Sequence, residues 1–228
     1  MVDFLHDGVR MKFFDELLLL MDGKRSGPEN MAMDEHLAQT TKLPLLRVYG
    51  WQGSWMSLGY FGKWNEIPRG RAFVRRPTGG GIVDHDHDWT YSLIVPRGGE
   101  LAEMKPSESY RMIHECIAAW LIESGIACSL WNDEPFSEGN LCFRNPVAFD
   151  LIDAQGKKIA GAGQRRTKYS LLHQGSILAN VDQENLCALT LARHLSRNVI
   201  EISSAEIIKN DLDSHFRHFF EAAWNQRR

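Results

Sequence analysis

The chain has no cysteines at the short paired spacings used by metal or redox sites, no long apolar run, no marked excess of charge of one sign and no internal repeat. Each absence narrows the function. Four cysteines without such spacing argue against a zinc ribbon or a CxxC oxidoreductase and fit a reducing compartment. No apolar run reaches the length of a membrane span, and Leu17 to Met21 is closed in by Asp15, Glu16 and Asp22. It also lacks the basic start and small-residue cleavage site of a secretory signal, so a cytoplasmic protein without a membrane partner is expected. A net charge of −3 gives no reason to expect nucleic acid as a partner.

What remains is an ordinary globular composition, 43% hydrophobic and 24% charged over 228 residues, enough to build one sizeable core. A helix is predicted over residues 29–41, with Met31, Met33, Asp34, Leu37 and Ala38 at helical spacing. Short strands are expected at Leu45–Tyr49, Trp55–Tyr60, Ala72–Arg76, Gly81–Asp84 and Trp89–Val95, punctuated by glycine and proline. The clearest helix covers residues 107–124, with Tyr110, Ile113, Ile117, Trp120 and Leu121 on one face and Gly125 at its end. Strands follow at Ile126–Trp131, Val147–Ile152, Lys158–Arg165 and Ser170–Leu178. The end of the chain reads as helical, at Gln183–Leu195, near Ala205–Ile208 and at Asp213–Trp224. This order predicts an α+β protein, a mixed β-sheet with segregated helices, and no linker divides it.

Chemistry concentrates in three segments. Cys142 sits in the polar loop Asn140-Leu-Cys-Phe-Arg-Asn-Pro146, where burial as a small core hydrophobe is the less natural reading. Lys158 follows 16 positions later (158 − 142) and opens a strand of very small residues, Ile-Ala-Gly161-Ala-Gly163. A lysine near a thiol lowers its pKa, which makes Cys142 a candidate nucleophile. Cys116, Cys128 and Cys187 lie in helical or apolar stretches and read as structural. The row of alanine and glycine leaves room for a linear apolar chain, with Lys158 at its mouth to hold a carbonyl or carboxyl oxygen. Lys157 beside it reads as a surface residue.

The third segment is Arg75-Arg76-Pro-Thr78-Gly79-Gly80-Gly81-Ile-Val-Asp-His85. Three glycines allow close backbone approach to a ligand and offer N–H groups to an oxygen, with the arginines as charge partners; a plain glycine hairpin shows the same pattern. His85 and His87 invite a metal, but no third ligand stands at motif spacing, so no metal is assigned and a site histidine or a solvated loop is preferred. Lys157, Lys158, Arg165, Arg166 and Lys168 form a basic cluster, either a solvated face or a docking surface for an acidic carrier protein or a phosphate group.

Together these segments resemble the lipoate and octanoate protein ligase and transferase family, which shares its catalytic fold with biotin protein ligases. The resemblance is carried by Asn30-Met-Ala-Met-Asp34-Glu35, Trp55-Met-Ser-Leu-Gly59-Tyr60, Arg75 to His85 with Thr90-Tyr-Ser-Leu, Gly156 to Gln164, and His173-Gln-Gly-Ser-Ile177, in family order. It implies a biotin/lipoate protein ligase-like domain with Cys142 and Lys158 as catalytic residues. It further implies substrate binding by Arg75, Arg76, Thr78, Gly79, Gly80, Gly81, His85, Gly161, Gln164, His173, Gly175 and Ser176.

The family contains two chemistries. Ligases activate free lipoate with ATP and magnesium and usually need a C-terminal accessory domain, in some cases on a separate chain. Transferases take octanoate from acyl carrier protein, hold it as a cysteine thioester and pass it to a lysine of a lipoyl domain, in a 2-oxoacid dehydrogenase subunit or the glycine cleavage H protein, without a cofactor. Residues 180–228 after the last motif are short for the accessory domain, so a single catalytic domain over residues 1–228 is expected. Cys142-Phe, an Asp-Leu strand and Gly156-Lys-Lys158 look like the transferases in which the nucleophile precedes the lysine. An octanoyltransferase is therefore expected, with the split ligase and a non-catalytic lipoyl-domain binder as alternatives. Asp84-His-Asp-His-Asp88 is more acidic than the family's usual segment, and it leaves the contacts of His85 open.

Overall fold

The computed structural model of the protein describes residues 12–132, 146–178 and 187–204. Two sheets organise them. The larger has eight strands: β1 (Phe14–Arg25), β2 (Leu45–Trp51), β6 (Trp89–Pro96), β7 (Ser129–Leu130), β8 (Leu151–Ile152), β9 (Lys158–Arg166), β10 (Ser170–Ile177) and β11 (Ser196–Ile202). Their order is β11-β1-β2-β6-β10-β9-β8-β7, parallel among the first three and antiparallel from β2 onward. The smaller sheet holds β3 (Trp55–Leu58) between β4 (Ala72–Arg75) and β5 (Ile82–Asp84). The expected α+β class with a mixed sheet is what the chain forms.

Alternation along the central strands assigns a layer to each face. Tyr91, Leu93, Leu171 and Ile177 turn toward α2 (Glu100–Glu103), α3 (Pro106–Glu123) and α4 (Ala188–Leu195), where Leu101, Ile113, Ile117, Trp120, Leu121, Leu191 and Leu195 close the main core. Ile94 and Leu172 turn the other way and pack on Met33, Leu37 and Ala38 of α1 (Gly27–Thr40). α1 begins two residues before the predicted start because Pro28 opens the helix instead of breaking it. The Glu29 carboxylate accepts the Ser26 backbone N–H at 2.9 Å across that first turn.

The buried face of α1 is not wholly apolar. Arg47 of β2, fully buried, donates to Asp34 Oδ1 (2.7 Å), to Asn30 Oδ1 (2.7 Å) and, through Nε and Nη2, to Asp22 Oδ2 (3.1 and 2.9 Å). Asp34 Oδ2 accepts from Tyr49, Ser92 and Gln174 at 3.0, 2.6 and 2.7 Å. Gln174 in turn accepts from Thr78 at 2.7 Å, so a continuous polar chain ties α1 to the glycine loop through β10.

One part of the expected layout is corrected. The residues after Asn180 read as helices, yet Ser196–Ile202 is the strand β11, pairing in parallel with β1 from Phe14↔Ser196 to Leu20↔Ile202. β1 itself carries no strand prediction. They pair with each other across most of the chain length, and β1 meets β2 in parallel through the intervening α1, so no hairpin announces either strand. The predicted helices near Ala205–Ile208 and at Asp213–Trp224 lie outside the described residues.

Candidate active site

Strand β9 sets the first half of the site. Its pairing with β8 shifts by one residue, Leu151 facing Ala160 but Ile152 facing Lys158, which marks a β-bulge at Ile159. Strict alternation would put Lys158 and Gly161 on opposite faces; the bulge turns both to the same side. A Cβ on Gly161 would overlap Lys158 Cε and Nζ and come 2.9 Å from Asp150 Oδ1. The absence of a side chain at Gly161 is therefore what lets the lysine fold across the strand. Lys158 is buried while Lys157 is exposed, which separates the two lysines as the sequence suggested.

Asp150 is the partner that holds Lys158. Its Oδ2 lies 2.7 Å from Lys158 Nζ and accepts the Val147 backbone N–H at 2.7 Å, and its Oδ1 accepts from Tyr110 Oη at 2.6 Å. The carboxylate is fully buried, and it is aimed by an unusual backbone: Phe149 has φ 71°, a left-handed value that costs a bulky residue energy. The Phe149 carbonyl accepts from His114 Nδ1 at 2.6 Å, which fixes the turn from α3. Burial, reinforced by Asp150, pushes the Tyr110 hydroxyl well above its ordinary pKa, so Tyr110 stays a neutral donor.

The glycine loop forms the opposite wall. Gly163 of β9 meets it backbone to backbone, since a Cβ there would lie 2.6 Å from the Gly79 oxygen and 2.9 Å from Thr78 Oγ1. Gly80 has φ 96°, a conformation few other residues adopt. The arginines are occupied with building this loop. Arg76 donates to the carbonyls of Gly79 (2.9 Å), Gly81 (2.9 Å) and Ser57 (3.1 Å), and Arg75 to those of Gly59, Tyr60 and Gly62 at 3.0, 2.6 and 3.0 Å while lying over the Trp64 ring.

Between these walls lies a cleft of about 450 Å³, counted to its open mouth. Arg76, His85, Lys158, Gly161, Gly175 and Ser176 line it together with Met31, Tyr49, Trp51 and Val83, which supply an apolar side. Arg75, Thr78, Gly79, Gly80 and Gly81 do not line it and act as its frame. Gln164 and His173 lie on the opposite face of the sheet. Strand parity requires this, because His173 is three positions from Ser176 and shares the α3 face with Tyr91, whose hydroxyl is 3.1 Å from His173 Nε2, while Gln164 Nε2 is 3.0 Å from Nδ1. Cys142 lies outside the described residues. Among the described residues no group of three or more histidine, cysteine or acidic side chains could hold a metal ion.

The core histidines make a measurable prediction. Burial drops the His114 pKa from 6.5 to about 4, and burial, with His114 and Arg166 adding to it, takes His173 well below 6.5. As pH falls through 6.5 the unfolded chain takes up protons on both, while the folded chain does not. Stability is thus full above pH 6.5 and lost below it, by about 1.4 kcal/mol per pH unit for each histidine. Between pH 7.5 and pH 5 His114 alone should cost roughly 2 kcal/mol in chemical denaturation, with His173 acting in the same direction, and His114→Asn should flatten the dependence. A pH-independent stability over that range would contradict the buried neutral histidines.

A mixed sheet with a glycine loop closing over a strand of small residues and a buried lysine is the catalytic-domain fold of lipoate protein ligases. It superposes with a TM-score of 0.67 on protein Ta0514 of T. acidophilum (22% identical, covering 91% of this chain and 95% of that one), and of 0.64 on a lipoate-protein ligase A bound with ATP (22% identical, 91% and 94%). The chain belongs to the lipoyl protein ligase A/B catalytic domain family, whose sequence profile matches residues 26–206. Curated relatives include the octanoyltransferase LipM of Kyrpidia tusciae, 36% identical over 75% of this chain and 69% of that protein. LipM of Bacillus subtilis is 35% identical, over 74% and 67%.

Proposed function

We propose that the chain is an octanoyltransferase of lipoate assembly, taking octanoate from acyl carrier protein onto Cys142 and passing it to a lysine of a lipoyl domain. The observation that carries this reading is the buried Lys158–Asp150 pair at the end of a half-apolar cleft, in a chain about 35% identical to proteins named octanoyltransferases. The lipoate ligases of the same fold are only 22% identical and speak for the fold alone.

In this mechanism the Cys142 thiolate attacks the carrier thioester and the Lys158 ammonium stabilises the oxyanion that develops. Asp150 and Tyr110 fix the ammonium in place. Amide formation from a thioester is downhill, so neither ATP nor magnesium is required. Residues 1–228 act as one catalytic domain in the cytoplasm.

Incubation with octanoyl carrier protein in ATP-free buffer should add one octanoyl mass to the Cys142 peptide, removable by hydroxylamine, and subsequent addition of a lipoyl domain should discharge it. Cys142→Ala should abolish both steps. Full transfer by Cys142→Ala would reject the thioester, and attachment of free lipoate that demands ATP would make the protein a ligase.

A further inference from the structure

Ser57, His85 and Asp88 form a hydrogen-bonded row beside the cleft, to which acyl-enzyme formation assigns no task. Ser57 Oγ is 2.7 Å from His85 Nε2, and His85 Nδ1 is 2.7 Å from Asp88 Oδ2. The neighbours decide where the protons are. Arg76, which has only donors, gives a hydrogen bond to Ser57 Oγ at 3.0 Å, so the serine's own hydrogen is available for His85. Asp88 only accepts, from Thr90 at 3.0 Å and from Ser176 as well, which places the imidazole hydrogen on Nδ1 and leaves Nε2 as a proton acceptor. The Trp51 ring stacks on the imidazole at 4.0 Å and 17° and fixes its plane. Asp88 Oδ1 is buried without a hydrogen-bond partner among the described residues, an open acceptor in the same row.

The register of β9 and β10 sets this row next to Lys158. Gly161 and Ser176 face one another across the ladder, and facing residues project to the same side of a sheet. Lys158 Nζ occupies the space over Gly161, and Ser176 Oγ donates to Asp88. The oxyanion-binding lysine and the His85–Asp88 pair therefore flank one pair of facing residues.

Transfer to a lipoyl domain needs a base as well as an oxyanion site. The acceptor lysine arrives as an ammonium, of which only on the order of one in a thousand molecules is neutral at pH 7. Lys158 is engaged as the ion-pair partner of Asp150. We propose that Ser57, His85 and Asp88 are the proton relay that deprotonates the incoming lysine in the second half-reaction, an inference that rests on the Cys142 thioester.

The ammonium gives one proton to Ser57 Oγ as Ser57 passes its own to His85 Nε2. The neutral amine then attacks the thioester carbonyl, and the tetrahedral intermediate collapses with cleavage of the C–S bond. The sulfur leaves with the second nitrogen-bound proton, restoring the thiol, and the imidazolium, held by Asp88, releases its proton to solvent. The charged groups around the relay are Asp88, Arg76 through Ser57, and the Lys158–Asp150 pair across the cleft. Asp84 and Asp86 on the same segment are paired with Arg71, and His87 is exposed.

The test separates the half-reactions in the full-length chain. In His85→Gln, transfer from the acyl-enzyme to a lipoyl domain should slow about 100-fold or more at pH 7, far more than acylation by octanoyl carrier protein slows. The loss should shrink about tenfold per pH unit toward pH 9, as the acceptor amine loses its proton unaided. Hydroxylamine, a nucleophile already neutral at pH 7, should discharge variant and wild-type acyl-enzymes at the same rate. If His85→Gln folds poorly, Ser57→Ala removes the relay hydroxyl alone and must show the same pH-dependent loss. Equal slowing of both half-reactions, or a loss unchanged by pH, would overturn the relay. A wild-type enzyme that transfers octanoate without ever carrying it would overturn the thioester reading beneath it instead.

Discussion

Asp150→Ala is expected to be the most damaging substitution in the site. It removes the counter-ion of Lys158, which is buried, leaves the Val147 N–H without its acceptor and reduces the Tyr110 hydroxyl to its bonds with the Ala162 backbone. Breaking a buried pair from one side costs about 3–5 kcal/mol, because the remaining charge loses the counter-ion that compensated its burial. Without that anchor the ammonium is no longer held where the oxyanion develops, a loss worth about 100- to 1,000-fold in rate. Stability by denaturant titration and the rate of octanoyl loading should therefore fall together. Lys158→Arg keeps the charge but puts a planar fork into the space that Gly161 leaves open, and should load poorly while remaining folded. Lys157→Arg, on an exposed residue, should change neither. Normal loading by Asp150→Ala would mean that Lys158 needs no anchor.

Arg47→Ala should have the largest effect on stability outside the site, about 3–5 kcal/mol. The guanidinium is fully buried and serves Asp22, Asn30 and Asp34 at once, so its loss takes from the buried Asp34 carboxylate its ion-pair partner and leaves Asp22 with Arg25 alone. Burial raises the Asp22 pKa, but Arg25 and Arg47 outweigh it and hold the carboxyl below its usual range. The damage should also reach the cleft, because Asp34 holds Gln174 and Gln174 holds Thr78. Urea unfolding measures the first effect. Arg47→Met, which refills the volume but not the charge, should recover little, and full recovery would show that packing and not ion pairing holds α1 to the sheet.

The parts of this molecule legible in its sequence are those encoded locally. The helix at 106–123, the strands of the central meander and the glycine loop follow from periodicity and turn residues within a few positions, and their observed bounds differ from the expected ones by one or two residues. Two strand predictions shrink, Ile126–Trp131 to Ser129–Leu130 and Val147–Ile152 to Leu151–Ile152, because the flanking residues turn to build the Asp150 corner. Lys158 could be singled out because its small neighbours flag a place where something must fit. Asp150 could not, since what makes it matter is a left-handed Phe149 and a tyrosine 40 residues earlier. The facing of His173 and Gln164 away from the cleft was within reach of simple alternation, had the phase been counted from Ser176. The role of the acidic segment Asp84–Asp88 emerged only with Ser57, which lies on another strand.

The pairing of β11 with β1 bears on how the chain is made. Phe14 meets Ser196 only once the chain between them, a separation of 182 positions, has been made, a long loop closure that slows folding. Until then β1 has β2 on one side and nothing on the other, and its Leu17–Leu20 run sits on an open edge of unsatisfied N–H and C=O groups. Such an edge readily recruits strands from other chains. A chain that has not yet reached residue 202 thus presents that edge, and the short segment Ser196–Ile202 acts as its stopper, covering β1 once it pairs.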